Sequence, residues 1–101
     1  MADTQQVLQS IYRAIDELNA LRPDRPLGKS PDTVLFGERG QLDSLGLVSL
    51  IFGVESQIGT DFSTPISLAD DRAMSRRASP FRTVATLAAY VVELLDERAG
   101  G

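Results

Sequence analysis

Apolar residues recur along this chain at the spacing of a helix, and no segment shows the every-second-residue spacing of a half-buried strand. That property alone confines the fold to helices packed on helices. Val7, Leu8, Ile11, Ile15 and Leu18 form the first run, preceded by Asp3-Thr4 as an N-cap, so a helix is predicted over about 5–20. Pro23 and Pro26 end it. The stretch from Leu21 to Leu42 carries Pro23, Pro26, Pro31, Gly28, Gly37 and Gly40, a long crossing loop that Val34, Leu35 and Phe36 can pin to the core.

A second helix is predicted over about 44–58, with Leu47, Ile51, Val54 and Ile58 as its buried line and Leu45, Val48, Leu50 and Phe52 widening that face. Ser67-Leu68-Ala69-Asp70 reads as a capping box. Asp70 and Asp71 then lead and Arg76 and Arg77 trail, the order that suits the dipole of a short third helix over about 68–78. After Ser79-Pro80, Val84, Leu87, Ala88, Val91, Leu94 and Leu95 mark a final helix over about 83–98, capped by Thr83 or Ser79, with a frayed tail at 99–101. The expected fold is therefore all-α: residues 1–101 as one domain, a four-helix bundle with a long first loop and a short third helix.

The residue types that are missing narrow the chemistry. The chain has no Cys and no His, which removes thiolate nucleophiles, the usual imidazole base and the usual zinc ligands. An enzyme is not expected, nor a metal site. A net charge of −4 and a single lysine, Lys29, speak against phosphate-backbone binding, so no nucleic-acid partner is expected. Met1-Ala2-Asp3-Thr4 opens no leader peptide and no apolar run is long enough to span a bilayer, so a cytoplasmic monomer with protein partners is expected.

Leu42-Asp43-Ser44-Leu45 lies between the turn-rich loop and the second apolar run. An Asp or Ser there would ordinarily cap the helix by accepting from its free N–H groups. The surroundings add more. Asp43-Ser44-Leu45 at the start of a second helix resembles the acyl carrier protein family, and the resemblance runs from Asp32 to Val92. It takes in Asp32-Thr33-Val34-Leu35-Phe36-Gly37, the helix from Leu42 to Ile51, and Phe81-Arg82-Thr83-Val84 with Leu87 and Tyr90.

The resemblance implies a four-helix carrier domain whose Ser44 receives 4′-phosphopantetheine from coenzyme A. It also implies that Asp43 helps the phosphopantetheinyl transferase hold Mg²⁺ and that Leu45 belongs to the recognised motif. The function implied is a stand-alone carrier shuttling thioester-linked acyl groups within a dedicated biosynthetic pathway. Its partners would be the transferase, an acyl- or aminoacyl-activating ligase and downstream acyltransferases. An aminoacyl or peptidyl carrier is the close variant. From another class, the chain could be a helical adapter that binds partners without modification. A phosphodiester on Ser44 would lie at the positive end of the second helix, where an anion is favoured by roughly 0.3–1 kcal/mol.

Two features depart from the family pattern. Where typical fatty-acid carriers present an acidic second helix, Gly46, Ser49, Gly53 and Ser56 line one face with small uncharged residues, and Glu55 beside them keeps the acidic character. These five residues form an expected partner-docking face, the alternative being that they pack within the domain under the long loop. The stretch from Ile58 to Val84 is also long and carries Arg72, Arg76 and Arg77, which suit either a lid over the arm or a solvated helix face. An acyl chain on the arm would tuck near Val48, Phe52, Ile66, Met74, Val84 and Leu87, residues that equally suit an ordinary core.

Overall fold

The computed structural model describes residues 3–36, 41–68 and 80–100. Among these the protein is all-helical, with α1 (Thr4–Leu21), α2 (Ser44–Asp61) and α3 (Val84–Gly100). Apart from the buried Leu68, the third helix expected over 68–78 lies outside the described residues, as do Met74 and Arg72, Arg76 and Arg77.

Each helix starts where its cap chemistry sets it. The Asp3 carboxylate accepts from the Gln5 N–H at 2.9 Å and opens α1. At α3, Thr83 Oγ1 accepts from the Thr86 N–H at 3.1 Å while Thr86 Oγ1 accepts from the Thr83 N–H at 3.0 Å, a reciprocal box with threonine in place of the usual Glu or Gln. Thr83, not Ser79, is therefore the cap.

Helix α1 is the element on which both others pack. It buries Val7, Leu8, Ile11, Ala14, Ile15 and Leu18, one face of a 3.6-residue repeat. Helix α2 runs antiparallel to it: Gly53 lies against Ala14, while Gln57 and Asp61 reach Arg13. Helix α3 adds Val84, Leu87, Ala88, Tyr90, Val91 and Leu95 to the same core.

The long loop is held along its length. Asn19 clamps Leu27, its Nδ2 donating to the Leu27 carbonyl at 2.9 Å and its Oδ1 accepting the Leu27 N–H at 2.7 Å. Further along, the Leu35 N–H donates to the Arg82 carbonyl, and the Val84 and Ala85 N–H groups donate to the carbonyls of Thr33 and Pro31. Those two donors are first-turn N–H groups of α3 that have no partner inside their own helix, so the loop satisfies them. Leu27, Leu35 and Leu42 sink into the core. Of the three expected pins only Leu35 is buried; Val34 is half-buried and pairs through its backbone with Thr83, and Phe36 is exposed.

The orientation of α2 differs from the expectation. Leu50, Ile51, Val54 and Ile58 are buried and Leu47 is half-buried, but Leu45, Val48 and Phe52 point outward. The two glycines lie on the packed side. A Cβ on Gly53 would sit 3.5 Å from that of Ala14, and one on Gly46 would lie 3.1–3.4 Å from Asp43, Leu42 and Arg22. Leu50, Ile51, Val54 and Ile58 thus face the core with Gly46 and Gly53 at their flank, and the side opposite that apolar line, Leu45, Val48 and Phe52, is left to solvent.

Candidate functional site at the start of helix two

At the corner where the loop enters α2, Asp43 and Ser44 divide the work. Asp43 is the N-cap: its Oδ1 accepts the Gly46 N–H at 2.7 Å, and its carbonyl takes the Leu47 N–H at 2.9 Å as the first bond of the helix. Ser44 occupies the first helical position, exposed. Among the described residues no hydrogen bond engages its hydroxyl, and the N–H groups of Ser44 and Leu45 have no acceptor. The motif's capping role therefore belongs to Asp43, and the Ser44 hydroxyl is left over from it.

That geometry suits a covalently attached phosphate. An ester on Ser44 Oγ would meet two unsatisfied N–H groups and the positive end of an 18-residue helix, with no buried contact to break first. Leu42, buried behind Asp43, anchors the corner in the core.

The expected docking face is not one surface. Gly46 is buried under Leu42 and Arg22, and Gly53 is packed on α1, so neither presents itself to a partner. Glu55 Oε2 accepts the Leu68 N–H at 2.7 Å, tying the chain beyond α2 back onto the helix. Ser49 and Ser56 are exposed, at the margin of a different feature. That feature is a ridge of Leu45 (75% exposed), Val48 (44%) and Phe52 (63%), three and four residues apart on the outer face of α2.

The expected acyl-binding set is divided likewise. Val48 and Phe52 lie outside while Val84 and Leu87 are fully buried and Ile66 packs against the core, so these residues do not enclose one space. Residues of one such pocket must face each other, and the rotation of α2 prevents it.

A polar cluster at the far end of α2 has no signal in the sequence. Ser10, fully buried in α1, donates to Asp61 Oδ2 at 2.6 Å, and Arg13 forms an ion pair with the same oxygen. The Ser10 hydroxyl, and after it Arg13, hold the Asp61 carboxyl below its ordinary range. Gln6, Gln9 and Phe62 complete a shallow cleft around it. The cluster lies 17 residues along the helix from Ser44, roughly 25 Å, and its bonds are internal. It joins α1 to α2.

Among the described residues no group of His, Cys, Asp or Glu side chains could hold a metal ion, and no helix is long and apolar enough to cross a membrane. Compared with protein-family models, curated proteins and solved structures, the chain matches none.

Proposed function

We propose that this protein is an acyl carrier: a cytoplasmic monomer that bears 4′-phosphopantetheine on Ser44 and passes thioester-linked acyl groups between enzymes of a dedicated pathway. One observation carries the reading. Ser44 stands exposed at the first turn of a helix whose cap is made by its neighbour, so its hydroxyl is accessible and unused. A serine retained for helix stability would take the cap itself.

In this reading the Ser44 and Leu45 N–H groups and the α2 dipole hold the phosphate, and Asp43, which the cap fixes beside Ser44, is offered to the transferase's Mg²⁺. The arm supplies a terminal thiol, which a chain without cysteine lacks. The carrier reading expects the remaining helix of a four-helix bundle in segment 68–78.

A second reading is favoured by the apolar ridge on α2: an adapter that binds a partner through Leu45, Val48 and Phe52 with no modification. Intact mass after incubation with coenzyme A, Mg²⁺ and a broad-specificity phosphopantetheinyl transferase separates the two. The carrier reading expects a gain of one phosphopantetheine on the wild type and none on Ser44→Ala. An unchanged mass for folded wild type leaves the adapter.

A further inference from the structure

Arg22 closes α1 as its C-cap, and the backbone fixes it on both sides: its N–H donates to the Asn19 carbonyl at 3.1 Å, and its carbonyl accepts the Arg25 N–H at 3.1 Å. An arginine in that place ordinarily turns back onto the last carbonyls of its own helix, where the dipole favours a cation. Arg22 does not. Its half-buried side chain reaches across to α2, and the point that a Cβ on Gly46 would occupy lies 3.4 Å from Arg22 Nη1 and 3.1 Å from Asp43 Oδ1.

That placement is unfavourable in the protein alone. The guanidinium lies beside the first turn of α2, the end of a helix that disfavours positive charge. It presents a fork of N–H donors, yet among the described residues no hydrogen bond or ion pair engages it. Asp43 Oδ1 is taken by the Gly46 N–H, while Arg13 and Lys29 are paired with Asp61 and Asp16. A half-buried cation held next to a carboxylate that it does not touch is short of an acceptor. Ser44, with its free hydroxyl, is two residues and roughly 3 Å along the axis from Gly46.

Resting on the carrier reading, we infer that Arg22 is the counter-charge to the phosphodiester on Ser44: its guanidinium donates to the phosphate oxygens and offsets the like charge of Asp43. Rotation about the arginine's side-chain bonds brings the fork onto the phosphate with no movement of the backbone. Two-pronged, charge-assisted bonds of this kind are those arginine makes best with phosphate. A phosphate so held is fixed on the α1 side of Ser44, and this sets the direction in which the arm leaves the corner.

The test compares apo and holo forms of each variant, the holo form made to completion with coenzyme A, Mg²⁺ and a broad-specificity phosphopantetheinyl transferase and verified by intact mass. Attachment should raise the melting temperature of wild type by about 2–6 °C in about 50 mM NaCl, and by less in about 500 mM, where the charges are screened. Arg22→Gln should lose that gain and Arg22→Lys should keep part of it. In wild type the Arg22 Nε–H resonance should also shift on attachment, which a purely structural role would not cause. Each variant is its own reference, so a less stable apo Arg22→Gln leaves the comparison intact. An equal gain in wild type and Arg22→Gln, or an Arg22 Nε–H signal that attachment leaves unmoved, overturns the counter-charge while the carrier reading stands. Failure to load folded wild type overturns both.

Discussion

Gly53 of α2 stands so close to Ala14 of α1 that a methyl group on the glycine would come to rest 3.5 Å from the alanine Cβ. That is ordinary van der Waals contact, so Gly53→Ala fits without displacing α1 and adds helix propensity, for a gain of about 1 kcal/mol. Gly46 has the opposite sign. Its added Cβ would meet Asp43 Oδ1 at 3.1 Å and Leu42 at 3.3 Å, and the carboxylate cannot retreat without releasing the Gly46 N–H, so Gly46→Ala destabilises. Chemical denaturation of the two variants checks both signs; a stabilised Gly46→Ala would show that the corner is looser than described.

Asp43 has a structural duty separable from its proposed one. Asp43→Ala removes the cap and should cost about 1 kcal/mol, whereas Asp43→Asn keeps an acceptor for the Gly46 N–H and should unfold near wild type. If Asp43 also assists the transferase's metal, Asp43→Asn will load slowly despite its normal stability. Loading of Asp43→Asn at the wild-type rate would confine the residue to capping.

Acid should weaken the Ser10–Asp61–Arg13 junction in a defined direction. Because the Ser10 hydroxyl and then Arg13 hold the Asp61 carboxyl below its unfolded value, its ionised form stabilises the fold above that value. The contribution is lost as pH falls from about 4 through the lower, folded-state pKa. Melting temperature measured from pH 5 downward should therefore fall more for wild type than for Asp61→Asn. Parallel curves would mean that the junction contributes nothing.

Ser63, two residues beyond α2, holds a φ of 51°, in the left-handed region that costs a residue with a Cβ. Ser63→Gly relieves that cost and should raise stability by about 0.5–1 kcal/mol, read as a shift in denaturation midpoint at unchanged slope. Ser63→Val, β-branched, should lower it.

Much of this was legible in the residue order. Local chemistry acts over three or four residues, so Asp3, Asp43 and Thr83 announce the starts of three helices, and Pro23 and Pro26 follow the end of the first. The exposed Ser44 at a helix start follows from the same short-range rules. Glu55 was not legible in the same way, since its partner is the N–H of Leu68, thirteen residues on.

Which side of α2 faces inward was decided only by tertiary packing. From Leu45 to Val54 the helix is apolar nearly all round, so hydrophobic periodicity has no preferred direction there. The choice was made by which side packs on α1 and the Leu42 corner: Leu50, Ile51, Val54 and Ile58 go in, Gly46 fits tightly under the corner, and Leu45, Val48 and Phe52 face solvent as a result. The junction of Ser10, Arg13 and Asp61 has the same origin: residues some fifty positions apart meet because two helices lie antiparallel, and no local pattern encodes that meeting.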